Sequence, residues 1–138
     1  MVGSERFEQL IAFLNSNLPQ PVTQQEFANG DIQFTGGDPG EVIVLLTATK
    51  VVVSEFAGVW ETEEVFVAAP RRLGLLKWRR LPETPLINAL TALVKGARES
   101  RLSQFQTCHR CGHHTAPERL FDEHLCQTCA MRQHEVVH

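Results

Sequence analysis

The sequence predicts an α+β protein, in which an antiparallel sheet of four or five strands is flanked by an N-terminal and a C-terminal helix and followed by a cysteine-rich module. Three observations support this prediction. Apolar residues recur at helical spacing in residues 4–18 and 84–103, segments rich in Val, Ile and Leu lie between them, and all four cysteines follow residue 107. We therefore expect an α+β domain over residues 1–104 and a separate module over residues 105–138.

The first helix is predicted over residues 4–18. Ser4 is the expected N-cap, and Pro19 with Pro21 ends the segment. The apolar positions make a single stripe, which is typical of a helix that packs on a core rather than on a membrane surface. The stripe consists of Phe7, Leu10, Ile11, Leu14 and Leu18.

Five short segments predict the strands of an antiparallel meander. They are Asp31 to Phe34, Glu41 to Thr47, Lys50 to Phe56, Glu63 to Ala69, and Leu73 to Leu81, the last weakened by Gly74. The glycine-rich segment at residues 36–40 precedes a strand and has no Lys-Ser or Lys-Thr pair. It therefore predicts a hairpin turn rather than a phosphate-binding loop.

The second helix is predicted over residues 84–103, where it should pack on one face of the sheet. Thr84 is the expected N-cap, with Pro85 at the first helical position. The apolar stripe consists of Leu86, Leu90, Leu93, Val94 and Ala97.

Composition limits the classes of function. The chain has 138 residues, a formal net charge of -3 and a pI near 6.1. This balance does not favour a general electrostatic attraction to nucleic acid. No apolar run is long enough to span a bilayer, and the N-terminus does not have the pattern of a signal peptide. We expect a cytoplasmic protein whose cysteines stay reduced.

The four cysteines form two Cys-x-x-Cys pairs, Cys108 with Cys111 and Cys126 with Cys129. This spacing indicates four thiolates around one tetrahedral Zn²⁺. A complete thiolate shell leaves no position for water or substrate, so the expected zinc, one per chain, is structural. Gly112 follows the first pair, where a positive φ is expected. Disulfides and a rubredoxin-like iron site are the alternatives.

The module resembles the treble-clef zinc fingers. The first pair lies in a Cys-His-Arg-Cys-Gly turn, and the second pair precedes a segment, residues 130–137, that can form a helix. The resemblance covers about the last 30 residues and implies a zinc knuckle, a short hairpin and a helix around a closed site. The wider zinc-ribbon class has similar ligand spacing.

All six histidines follow residue 107: His109, His113, His114, His124, His134 and His138. We expect a polar exposed surface, with a second metal site or a pH-sensitive contact surface as the alternative. The string His134-Glu135-Val136-Val137-His138 matches the H-E-x-x-H pattern of zinc peptidases. No third ligand follows this string, so we expect at most a secondary metal site at His134 and His138.

A basic stretch precedes the second helix and consists of Arg71, Arg72, Lys77, Arg79 and Arg80, around Trp78. It is a candidate nucleic-acid contact with a stacking aromatic residue. The alternative is a strand whose cations pair across the sheet with acidic residues, which are Glu55, Glu61, Glu63 and Glu64.

We therefore expect a non-enzymatic zinc-binding module that contacts another macromolecule. A protein is favoured over nucleic acid, because residues 108–138 hold three Arg against four Asp or Glu and four thiolates on Zn²⁺ add a charge of about −2. The first alternative is a nucleic-acid-binding regulator that uses residues 71–80 with the finger. The second is a metal-dependent hydrolase that uses residues 134–138.

Overall fold

The computed structural model describes residues 2–38, 40–60, 62, 66–120 and 125–136. The helices are α1 (Val2–Asn17), α2 (Glu83–Ser103) and α3 (Gln127–Val136), with a 3-10 turn at Pro117–Arg119. The strands are β1 (Val22–Glu26), β2 (Ile32–Gly36), β3 (Val42–Leu46), β4 (Val51–Glu55), β5 (Gly58–Trp60), β6 (Phe66–Ala68), β7 (Arg71–Leu76), β8 (Gln106–Thr107) and β9 (His114–Thr115).

The main sheet has five antiparallel strands in the order β1-β2-β3-β4-β7, so the predicted α+β fold is confirmed. Helices α1 and α2 pack into the same core on this sheet. Their apolar stripes place Leu14 and Leu90, both fully buried, against the alternate residues of the central strands. The strand residues in this core are Ile32, Phe34, Val42, Val44, Leu46, Val51 and Val53.

The strand prediction is wrong at several places. Strand β5 was not expected, and the last strand begins at Arg71 and ends at Leu76 rather than running from Leu73 to Leu81. Strand β1 was not expected, because its sequence Val-Thr-Gln-Gln-Glu has no apolar alternation. It is an edge strand with four of its five residues exposed, and among the five Val22 alone packs against the core, so its sequence carries no alternating pattern. The segment at residues 63–69 was assigned to the main sheet, whereas β6 pairs only with β5 in a separate two-stranded ribbon. Residues 63–65 lie outside the described chain.

Strand β7 completes the sheet through an irregular pairing with β4. Val53 pairs with Gly74 and Ser54 pairs with Arg72, which leaves Leu73 as the extra residue of a β-bulge. Leu73 is 42% exposed. The predicted weak point at Gly74 is therefore the site where the pairing register changes.

Both predicted N-caps are wrong, because the helices begin earlier. Helix α1 begins at Val2, which places Ser4 inside it. Helix α2 begins at Glu83, and its first turn closes when the Leu86 N–H donates to the Pro82 carbonyl at 3.0 Å. A proline in the first turn of a helix removes an N–H group that needs no intrahelical acceptor, so Pro85 fits there although it is not the first residue.

Among the described residues, no helix combines the length and the apolar character needed to cross a membrane.

Candidate metal centre

The four cysteines converge on one point at the C-terminal end of the fold. Their Sγ atoms all lie within 4.8 Å of one another, and those of Cys111 and Cys126 are 3.9 Å apart. A tetrahedral zinc with bonds of about 2.3 Å would place its sulfurs about 3.8 Å apart. All four are free thiols, and only Cys111 is exposed. The donor set and its spacing therefore fit one tetrahedral metal ion.

The first cysteine pair lies in a tight turn between β8 and β9. The Cys108 N–H donates to the His113 carbonyl at 2.9 Å, and the Gly112 N–H donates to the Cys108 carbonyl at 2.8 Å. Gly112 has a φ of 73°, as predicted, and this conformation costs glycine little. The turn brings the sulfurs of Cys108 and Cys111 to the same cluster.

The second pair lies at the start of α3. Helix α3 begins at Gln127, three residues earlier than predicted, so Cys126 immediately precedes it and Cys129 lies in its first turn. The Ala130 N–H donates to the Cys126 carbonyl at 3.0 Å, and an isolated bridge joins Cys126 to Leu120. The unpaired N–H groups at a helix start stabilise nearby thiolates.

The thiols differ in their affinity for protons. Backbone N–H groups of Cys111 and Cys126 lower the pKa of Cys108 to about 6. Burial, together with hydrogen bonds among the neighbouring thiols, raises the pKa of Cys129 to about 12. Without a cation the four sulfurs therefore cannot all be ionised near neutral pH, and a divalent ion at their centre would remove this restriction.

The module is held against the sheet by Arg101 of α2, which is 2% exposed. Its Nε donates to the Gly40 carbonyl at 3.0 Å, and its Nη2 donates to the Glu118 carboxylate in the 3-10 turn. The guanidinium carbon lies 5.0 Å from the ring centroids of both Phe56 and Phe105. Cation–π contacts of this kind gain strength when they are shielded from water.

Sequence reasoning missed Arg101, although one signal was present. Arg101 follows Ala97 by four residues and so continues the apolar stripe of α2. A charged residue on the core-facing stripe of a helix is rarely buried unless it has a partner. That partner, Glu118, lies 17 residues further along the chain, so the sequence alone does not identify it.

A second buried charge anchors the same end of α2. Glu55 at the end of β4 is 3% exposed. It accepts hydrogen bonds from Ser100 Oγ at 2.9 Å and Gln104 Nε2 at 3.1 Å, and it pairs with Arg71 Nη2 at 2.8 Å. These contacts bind the last turns of α2 to strands β4 and β7.

The basic stretch divides into two groups along β7. Arg71 and Arg72 begin the strand, whereas Lys77, Arg79 and Arg80 follow its end. A strand of this length separates the groups by roughly 15–20 Å. The pairing of Arg71 with Glu55 matches the expected cross-strand ion pair. All five cations are exposed.

Trp78 is not available for stacking on a base. It is 0% exposed, and its Nε1 donates to the Thr47 carbonyl at 2.9 Å. The Arg79 guanidinium lies 4.8 Å from the Trp78 ring centroid, and its Nε donates to the Ala48 carbonyl. Trp78 therefore belongs to the core, and the structure does not support the candidate role of its ring in stacking on a base.

None of the histidines whose side chains the structure describes joins the cysteine cluster. In the described part of the chain, the four cysteines are the group of His, Cys, Asp and Glu side chains close enough to hold a metal ion. His113 and His114 are exposed, and the His114 ring lies 5.4 Å from that of Phe105. His134 lies within α3, whereas His124 and His138 fall outside the described residues. The secondary site at His134 and His138 stays a prediction.

A groove separates the cysteine module from the rim of the sheet. Its volume is about 860 Å³. Asp38, Gly40 and Phe56 line it on the sheet side. The module side includes His113, His114, Arg119, Gln127 and Thr128. The groove therefore has walls from both parts of the chain, and Arg101 holds these parts together.

Comparison with protein-family models, with curated proteins and with solved structures yields no match to this chain. Its function must therefore be argued from the geometry of the cysteine cluster and the contacts around it.

Proposed function

We propose that the chain binds one Zn²⁺ through Cys108, Cys111, Cys126 and Cys129, and that the module ordered by this ion is a contact surface for another macromolecule. The observation that carries the proposal is the convergence of four Sγ atoms within 4.8 Å. Four thiolates complete a tetrahedral shell and leave no position for a reacting water. The proposed zinc site is therefore structural rather than catalytic.

The local fold supports assignment to the treble-clef type. A turn carries the first pair, a short hairpin surrounds it, and a helix start carries the second pair. Among the described residues, the buried cluster of the module consists of three cysteines with Leu125 packed against it. A cluster of this size contributes little folding free energy, and metal binding would supply much of it, on the order of 10 kcal/mol in finger peptides.

The first experiment measures metal content. The full chain, purified under reducing conditions, should contain one zinc by elemental analysis and native mass spectrometry. Cys108→Ser and Cys129→Ser should lose it, whereas Thr128→Ala, which alters a residue between the second pair, should retain it. A wild-type chain without zinc, in which all four thiols titrate as free, would refute the proposal. Bound iron would appear as a visible absorption band and would correct the identity of the metal.

A protein partner is supported by charge and exposure. Residues 108–138 carry three Arg against four Asp or Glu, and phosphate binding normally requires an excess of cations. Met131 on α3 is 66% exposed, and methionine adapts readily to apolar partner surfaces. We expect Met131→Glu to abolish cross-linking to a partner, while Thr91→Ala, on an exposed position of α2 away from the groove, preserves it. An unchanged cross-linking pattern with Met131→Glu would contradict this surface assignment.

The two alternatives have separate tests. Binding of nucleic acid through the basic stretch should weaken steeply with salt and with Arg79→Ala combined with Arg80→Ala; a flat titration removes this alternative. A hydrolase that uses His134 and His138 should lose its activity when residues 134–138 are deleted. Activity that survives the deletion removes the second alternative.

A further inference from the structure

We infer that Arg101 couples the metal centre to the α+β sheet, so that the groove between module and sheet exists only in the metal-loaded protein. This inference rests on the proposed metal binding and adds a means of regulation.

The first step concerns the charge of Arg101. Its guanidinium is almost completely buried, and the acidic group that it meets is the carboxylate of Glu118. Removal of one member of a buried ion pair leaves the other as an uncompensated charge, which is strongly unfavourable. If Glu118 moves away, the Arg101 guanidinium must therefore either stay buried without its partner or become exposed to water.

The second step concerns the placement of Glu118. It lies in the 3-10 turn between the two cysteine pairs, and its backbone carbonyl accepts a hydrogen bond from Gln127 Nε2 at 3.3 Å. Gln127 in turn follows Cys126, at the start of α3. The position of Glu118 thus depends on a segment whose two ends are tied to the cysteine cluster. In the described part of the module, the buried cluster consists of three of these cysteines with Leu125 packed against it, so metal binding would supply much of the free energy that orders this segment.

The third step concerns the route from Arg101 into the sheet. Arg101 binds the Gly40 carbonyl, which lies just before β3, and it contacts the ring of Phe56, which lies just after β4. Its neighbour Ser100 donates to the buried Glu55. Exposure of the Arg101 side chain would therefore disturb the end of α2 and the adjoining ends of two strands.

Hydrogen exchange of the full chain, with and without chelator, tests this coupling. Loss of zinc from the wild type should speed exchange in the module and also, by about tenfold or more, in residues 97–105. In Glu118→Gln, and in Arg101→Met if that variant folds, chelation should change exchange in the module alone. Arg98→Met is the matched control, since Arg98 is an exposed arginine on the same helix that pairs with Glu41. It should respond as the wild type does.

The outcomes distinguish this inference from the proposed function. If zinc is present and chelation changes exchange only in the module of the wild type, Arg101 does not couple the two parts, while zinc binding stands. If Glu118→Gln transmits the effect as fully as the wild type, the inference is likewise overturned. If the wild type contains no metal, both the proposed function and the inference fail.

Discussion

Replacement of Trp78 by Phe should lower the free energy of unfolding by about 2–4 kcal/mol. Trp78 is fully buried in the main core, where its ring lies 6.0 Å from that of Phe7. Phe retains an aromatic ring but is smaller and has no N–H group. This substitution therefore tests whether Trp78 is a core residue rather than a surface for stacking on nucleic acid.

Two terms make up the expected loss. The cavity left by the smaller ring should cost about 1–2 kcal/mol, since each buried carbon removed from a core costs on the order of 1 kcal/mol. The Thr47 carbonyl loses its 2.9 Å hydrogen bond from the indole N–H, and an unpaired, partly buried carbonyl costs about 1–2 kcal/mol. The native chain is expected to have a stability of about 5–15 kcal/mol, so the variant should still fold.

Urea denaturation followed by circular dichroism measures the loss, with zinc held constant. Arg80→Ala, two residues further along on the exposed turn, is the control and should change stability by less than about 0.5 kcal/mol. A loss below about 1 kcal/mol for Trp78→Phe would refute the packing argument. A loss of nucleic-acid affinity without a loss of stability would restore the stacking interpretation.

The remaining predictions concern buried polar groups, close contacts and protons. Glu55→Gln should cost about 1–3 kcal/mol in thermal unfolding, because a buried carboxylate that accepts hydrogen bonds from Ser100 and Gln104 becomes a neutral amide; a neutral result would show that these contacts are dispensable. Gly40→Ala should cost about 1–3 kcal/mol, since a Cβ there would lie 2.6 Å from the ring of Phe56. Gly96→Ala should instead raise the free energy of unfolding by about 0.5–1 kcal/mol, because a Cβ added at this position inside α2 would meet no other atom. Equal effects of the two glycine substitutions on stability would contradict this reasoning. Zinc binding near pH 7.5 should release about one proton or more, because the pKa of Cys129 lies near 12 without metal, and zinc affinity should fall as the pH is lowered. Calorimetry in buffers of different ionisation enthalpy measures this release, and binding without proton release would contradict the assigned protonation.

The spacing of apolar residues was sufficient to predict the helices and strands that bury one face. Helix α2 was predicted to within one residue at its start because Leu86 and Leu90 form part of a regular apolar stripe. The same rule failed for β1, whose side chains have no buried face and therefore no pattern to detect. It also misplaced β6, because an apolar strand does not specify which neighbour it will pair with.

The cysteine spacing by itself identified the candidate metal centre, because two residues between the cysteines of each pair allow both sulfurs of that pair to reach one tetrahedral ion, whether the pair lies in a turn or at a helix start. The role of charged residues was decided only by the tertiary structure. Arg101 and Glu118 meet in a buried pair between two parts of the chain, and the basic stretch divides along a strand. Coulomb and burial energies depend on distances and solvent exposure that adjacent sequence positions do not encode. The sequence therefore identified the site that would hold the metal, whereas only the fold showed the contacts of Arg101 that connect this site to the sheet.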